Sequence, residues 1–364
     1  MVGGRMIVEW LLFLMAMAME PVLTGGAPAV DISKMRQLAR KNNVTCILVF
    51  GDSSVDPGNN NILRTPMKGN FPPYGINFFG GRPTGRFTNG RLATDFIAEA
   101  LGYTKAIPAF LDPAVKKFDL RYGVSFASAA SGYDDFTANI SNVLSVRQQL
   151  DYFLHYKIHL REAVGKKAAN EIIRNSIVVM SMGTNDFIQN YYLDPTRSKQ
   201  YTIEQYLNFL ITRMSRTFQV MHKLGLRKLV TVGVPPVGCM PIVKTIMDTT
   251  SCYEEYNRVS STFNSKIKHT LEAIMASTGM KTAFVDAYGI ILNAIDNPKR
   301  YGITEISKGC CGTGTVEYGN SCKGMSTCKD PSKYVFWDAV HPTEKMYKII
   351  ADEAIASLTT YFLS

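Results

Sequence analysis

Cys46-Ile47-Leu48-Val49-Phe50-Gly51-Asp52-Ser53-Ser54 is the stretch from which the rest of the chain can be read. A short apolar, β-branched run that ends in Gly-Asp-Ser predicts a buried strand opening into a polar turn. Similar runs recur at 122–126, 177–182, 228–232 and 282–286. Between and after them lie longer amphipathic stretches at 92–101, 146–164, 203–224, 253–277 and 344–358. In the last of these, Met346, Ile349, Ile350 and Ala354 recur at helical spacing. Strands alternating with helices in one chain predict a five-stranded parallel sheet with helices on both faces. No linker divides the 364 residues, so one domain is expected over 30–364. Two long connections, 56–89 and 307–333, are expected to form lids or binding surfaces.

Ligands of such sheets bind at the carboxyl ends of the strands, and the strand ends here are rich in reactive types. The first ends in Gly51-Asp52-Ser53, the second runs into Ser128-Ala129-Ala130-Ser131-Gly132, and the third ends in Gly183-Thr184-Asn185-Asp186. The last loop carries Asp338-Ala339-Val340-His341-Pro342. A serine hydroxyl is a poor nucleophile until a base takes its proton, and His341 is the natural base for Ser53. Asp338, three residues earlier, can reach the Nδ1 side of that ring and fix its tautomer. Pro342 suits the first turn of the closing helix. Charge developing on a substrate carbonyl oxygen needs fixed donors. The backbone N–H groups of Ser53 and Gly132 and the side-chain amide of Asn185 can supply them. Gly132 carries no Cβ to obstruct that approach.

These blocks resemble those of the GDSL (SGNH) hydrolases. Phe71-Pro72-Pro73-Tyr74-Gly75, the segment 83–91, the segment 233–239 and Lys333-Tyr334-Val335-Phe336-Trp337-Asp338 resemble the plant esterase/lipase branch, including its extracellular lipases. The resemblance spans roughly residues 45–360. It implies a flavodoxin-like three-layer α/β/α sandwich, secretion, and hydrolysis of carboxylic esters through an acyl-enzyme, with no metal and no cofactor. By position it makes Ser53 the nucleophile, Asp338 the orienting acid, His341 the base, and Gly132 and Asn185 oxyanion donors. Two residues depart from the family pattern. Ser54 stands where Leu is usual, and Ala130 where Gly is common, its methyl expected to narrow the pocket. The same machinery could pass the acyl group to an alcohol instead of water, making the protein an acyltransferase. A wall-binding protein without turnover is the alternative from another class, although every catalytic group is present. Phe71, Phe78 and Phe79 would suit a lipid chain or pack the lid.

Composition fits this reading. With 46% apolar and 19% charged residues the chain is neither disordered, collagenous nor a coiled coil. Its net charge of +10 is spread along the chain, without a basic run or a nucleic-acid motif. Its expected meaning is attraction to acidic polymers of a cell wall, or solubility alone. Arg5, the apolar run 10–19 and the small residues Gly25, Gly26, Ala27 and Ala29 read as a signal peptide over 1–29. The run is too short to span a bilayer, so no transmembrane segment is expected. The competing readings are a buried N-terminal helix and an uncleaved anchor. Asn43-Val44-Thr45 and Asn139-Ile140-Ser141 are glycosylation sequons in a secreted protein.

In an oxidising compartment the seven cysteines read as three disulfides and one buried thiol. Cys239 is expected to pair with Cys252, and Cys310, Cys311, Cys322 and Cys328 among themselves. Two pairings avoid bonding the adjacent cysteines, and both stay open. Cys46, inside the apolar run, is the expected odd thiol. Zinc is disfavoured in the cluster because Cys310-Cys311 lacks the usual two-residue spacer. His155 and His159 share one helix face, but no Glu follows His155, so they read as surface or packing residues.

Overall fold

The computed structural model describes residues 31–362; the signal-peptide reading of 1–29 lies outside the described residues. Five strands form one parallel sheet: β1 Ile47–Gly51, β2 Gly123–Ser125, β3 Ile177–Ser181, β4 Lys228–Val232 and β5 Lys281–Val285. Their order is β2-β1-β3-β4-β5. The chain leaves β1 to one side for β2 and returns to the other for β3, which creates a crevice beside the end of β1. Both neighbours of β1 hold it in register, Val49 lying opposite Ser125 and Val179. The predicted strands match to within a residue or two at each end. A second, two-stranded parallel sheet, β6 Glu305–Gly309 with β7 Tyr334–Phe336, lies in the cysteine-rich region; β6 has no apolar run to announce it, and the run in β7 is only three residues long.

The helices are α1 Ile32–Lys41, α2 Ala93–Leu101, α3 Asp135–Ser141, α4 Val146–Val164, α5 Lys166–Asn175 and the short α6 Thr184–Phe187. There follow α7 Pro195–Gln200, α8 Ile203–Lys223, α9 Pro241–Ile246, α10 Glu254–Thr278, α11 Ala287–Asp296 and α12 Glu344–Phe362. Capping boxes start two of the long ones where the sequence turns helical: Ser145 with Gln148 at α4, Thr202 with Gln205 at α8. α12 packs on α2, α11 and β5, covering one face of the sheet, while α4, α8 and α10 cover the other. The flavodoxin-like sandwich is therefore the observed fold. Phe50 and Phe126 stack at 4.9 Å and meet Phe153 of α4 edge-on, which seats the helix over β1 and β2.

Pro342 does not occupy the first turn of the closing helix. α12 begins at Glu344, and Thr343 supplies the cap, its Oγ1 accepting from Met346 N. Pro342 instead forms a bridge with Phe336 of β7.

Three disulfides form: Cys239–Cys252, Cys310–Cys328 and Cys311–Cys322. The pairing left open is thus settled, and the four clustered sulfurs are consumed in bridges. Cys46 is buried outside them, just before β1, and burial pushes its thiol up to about 12. No described helix is long and apolar enough to cross a membrane.

Candidate active site

β1 delivers Ser53 to the crevice through Gly51. Its backbone is left-handed at φ 148°, and a Cβ there would stand 2.1 Å from the Ser181 carbonyl oxygen of β3. Only glycine allows that approach. Gln149 of α4 clamps the turn, accepting from Gly51 N and donating to Gly51 O, both at 2.9 Å. The Ser54 hydroxyl donates to Asp52 at 2.7 Å and pairs with Ser181 Oγ at 2.7 Å, so it points away from the histidine. The Ser53 hydroxyl lies 2.8 Å from His341 Nε2.

On its far side the His341 ring meets the Asp338 carboxylate, with Nδ1 2.9 Å and 2.8 Å from the two oxygens. Asp338 is fully buried. Its Oδ1 also accepts from Val340 N and His341 N, which bends the loop into the required turn. Its Oδ2 accepts from the Tyr74 hydroxyl at 2.7 Å. That hydroxyl in turn accepts from Gly319 N at 2.7 Å. Burial and the Asp338 charge push the Tyr74 phenol well above its ordinary value, so it stays a donor. Tyr74 is the fourth residue of Phe-Pro-Pro-Tyr-Gly, a block whose resemblance was noted but whose chemistry was not read. A buried tyrosine needs a partner for its hydroxyl, and that rule was the available signal.

The segment 83–91 holds the histidine loop from another side. Phe87 packs on the His341 ring at 4.9 Å between centroids. Thr88 Oγ1 donates to Pro342 O, and Asn89 Oδ1 accepts from Glu344 N at the start of α12. Arg86 makes a buried two-pronged contact with Asp95 of α2, at 2.8 Å and 2.9 Å. The whole segment is thus fixed to the sandwich before it touches His341.

The Asn185 amide donates to Ser131 O at 2.9 Å, which leaves its second N–H uncommitted. Its oxygen accepts from Gln189, whose own oxygen accepts from Ser141. The backbone N–H groups of Ser53 and Gly132 find no partner among the described residues. Two cavities meet at Ser53, Asn185 and His341 and share all three as lining. Gly132 is buried and lines neither, so its unpartnered N–H is the one group it can offer the site.

The reason for glycine at 132 differs from the expected one. A Cβ there would stand 2.1 Å from a carboxylate oxygen of Asp186. That buried carboxylate accepts from Tyr133 N, Asp134 N and Thr137 Oγ1, and so folds the second block against the third. Burial outweighs these three bonds and pushes Asp186 up to about 7. Asp56 plays a similar part across the crevice. It accepts from Gly58 N, Asn59 N and Ala129 N, and burial pushes it up to about 6. Ala130 sits at φ +69°, a left-handed position natural to glycine, and its methyl lines the smaller cavity.

The remaining expectations fall outward. Phe71, Phe78 and Phe79 line neither cavity. Phe71 stands edge-on to Tyr74, Phe78 is buried beneath Arg86, and Phe79 is exposed against Arg91. They pack the lid. His155 is exposed beside Tyr152, and His159 stacks on Phe110. Asn43 and Asn139 are both exposed.

Residues 47–354 match the family described as GDSL-like Lipase/Acylhydrolase. A GDSL esterase/lipase of Arabidopsis thaliana is 55% identical over 358 residues, covering 98% of this chain and 99% of the relative. Another from the same plant is 40% identical over 97% of each chain. Among solved structures, an acetylxylan esterase from Geobacillus stearothermophilus aligns at 12% identity and a TM-score of 0.41, covering 88% of this chain and 96% of that one.

Proposed function

Because the chain belongs to the GDSL-like lipase/acylhydrolase family and is a carboxylic ester hydrolase, we propose that Ser53, His341 and Asp338 are its triad, acting through an acyl-enzyme. The single observation that carries this is the unbroken line from Ser53 Oγ to His341 Nε2 and from His341 Nδ1 to Asp338. His341 takes the Ser53 proton as Oγ attacks the ester carbonyl carbon. Asp338 holds the ring in the tautomer that leaves Nε2 free and stabilises the imidazolium. The oxyanion draws on the N–H groups of Ser53 and Gly132 and on Asn185, held ready by Gln189. Collapse breaks the bond to the alkoxy oxygen, which leaves as the alcohol with the proton from Nε2. Water then repeats the sequence: it gives a proton to His341, attacks the acyl carbon, and the proton returns to Ser53 Oγ as the acid departs.

The proposal extends to a secreted protein with one catalytic domain over 30–364, cleaved after Ala29, glycosylated at Asn43 and Asn139, and drawn to acidic wall polymers by its positive charge. Three disulfides and two exposed sequons support it. The test is turnover of p-nitrophenyl esters and labelling by a fluorophosphonate. Wild-type protein should do both, with the label on Ser53, and Ser53→Ala should do neither. A label on Ser54, or full turnover by Ser53→Ala, would refute the assignment. The amino terminus and glycan sites of secreted protein, read by mass spectrometry, test the rest.

A further inference from the structure

A side-chain amide has a donor side and an acceptor side, and only the donor side stabilises an oxyanion. The bond from Asn185 Nδ2 to Ser131 O fixes one N–H, but the amide plane can still pivot about that single contact. A second contact stops the pivot. Gln189, four residues on, donates from Nε2 to Asn185 Oδ1 at 2.9 Å. The Gln189 amide is itself held the right way round, because its Oε1 accepts from the Ser141 hydroxyl at the end of α3, also at 2.9 Å. Ser141, Gln189 and Asn185 therefore stand donor to acceptor in one direction, ending at the Ser131 carbonyl and at the cavity beside Ser53. Bonds aligned in series polarise one another, so each carbonyl that accepts makes its own N–H a stronger donor.

We infer that Gln189 is a positioning residue for ester hydrolysis: it sets the plane of the Asn185 amide and aims its second N–H at the oxyanion. This role rests on Asn185 as an oxyanion donor. Gln189 belongs to a wide π-helical turn, Ile188–Leu193. Such turns are rare and occur frequently at functional sites. The turn does not depend on Gln189 for its place. Its neighbour Asn190 is fully buried and donates to Asp134 Oδ2 at 3.0 Å and Thr137 Oγ1 at 2.8 Å. Arg197 holds Asp134 from the other side, at 2.6 Å and 3.0 Å. Gln189 is only half-buried and lines the smaller cavity, so its side chain can be exchanged with the turn still anchored.

Steady-state hydrolysis of a p-nitrophenyl ester tests this through a double-mutant cycle. Gln189→Leu keeps the bulk and removes the donor. It should lower kcat about fivefold at unchanged KM, the rate equivalent of one neutral hydrogen bond. Gln189→Glu sets a carboxylate oxygen against Asn185 Oδ1 and drives the amide out of line. Its loss should reach about a hundredfold, close to that of Asn185→Ala. In an Asn185→Ala background both substitutions at 189 should change kcat by less than about twofold, since the group they act through is gone. Urea midpoints check that each variant is folded, and if Gln189→Glu is not, Gln189→Leu completes the cycle alone. Equal losses in both backgrounds, or full kcat in Gln189→Leu and Gln189→Glu, overturn the positioning role and leave Asn185 as it stands. Full kcat in Asn185→Ala itself overturns the oxyanion role of Asn185, and that of Gln189 with it.

Discussion

Asp186→Asn should reverse its effect on stability between mildly acid and mildly alkaline pH. The Asp186 carboxyl is buried, and burial lifts it from 3.8 to about 7, against the bonds from Thr137 and Tyr133 and with the nearby Asp134 carboxylate adding to the rise. A carboxyl that holds its proton more tightly when folded gives the native state the larger share of bound protons between those two values. Its contribution is fully present below 3.8 and is lost as pH rises through about 7. At ~1.4 kcal/mol per pH unit, the part lost between about pH 5 and about pH 8 is ~3 kcal/mol. Asparagine mimics the neutral acid and has no proton to give up. Its amide cannot accept where a carboxyl oxygen faced a donor, a penalty of ~1–2 kcal/mol at every pH. Urea unfolding at several pH values should therefore find the variant weaker by ~1–2 kcal/mol near pH 5 and equal or stronger near pH 8. The difference between the two proteins is the decisive quantity, because Asp52 and Asp56, both also raised by burial, contribute equally to each. A difference constant to within ~0.5 kcal/mol across the range would mean that Asp186 stays ionised throughout and that burial does not outweigh its three donors.

Other expectations concern the groups around the serine. Asn185→Ala should lower kcat by about 10²–10³ with little change in KM, measured by steady-state ester hydrolysis; an unchanged kcat would reduce Asn185 to a prop for the Ser131 carbonyl. Tyr74→Phe removes a buried bond to the Asp338 carboxylate and strands Gly319 N–H, so it should cost ~2–4 kcal/mol in urea unfolding. The same variant should lower kcat about tenfold while KM holds, the loss expected where ~1.4 kcal/mol of orientation disappears; equal kcat would show that the remaining bonds hold Asp338 unaided. Ala130→Gly relieves a left-handed alanine and should raise stability by ~0.5–1 kcal/mol in thermal melts, against the usual sign for introducing glycine.

The sheet was legible because five apolar runs stand at regular intervals among amphipathic stretches, and burial on both faces leaves little else for them to be. The strand at 228–232 was read to the residue. Ser53, Asn185, Asp338 and His341 were legible as types at strand ends and in the final loop. Their supports were not. Tyr74 and Asp338 are joined across 264 residues, and no periodicity records that partnership. Asp186 stands at a strand end with no role to be read from its neighbours, because its three donors come from 133–137, a segment whose approach depends on the fold. Short helices such as α3, α7 and α9 went unread, since six or seven residues carry too little periodicity to stand out. Phe71, Phe78 and Phe79 were ambiguous because an apolar ring in a loop looks the same whether it faces a ligand or its own lid.

The loop that carries Asp338 hangs from a covalently closed frame. Cys310 N and Cys311 N both donate to Trp337 O, Ala339 N donates to Glu317 O, and Gly319 N reaches Tyr74. All four contacts come from within or beside the loops closed by Cys310–Cys328 and Cys311–Cys322. The fraction of competent molecules in a preparation is therefore an oxidation readout. Chain made in a thiol-rich bacterial cytosol would present a well-formed sheet and an intact Ser53, and pass inspection by circular dichroism, yet titrate low with an active-site reagent. Chain exported to an oxidising periplasm, or refolded in a glutathione couple, would titrate near unity. For anyone producing this protein, folded mass and working sites are two separate numbers, and the cystine-closed loop is what separates them.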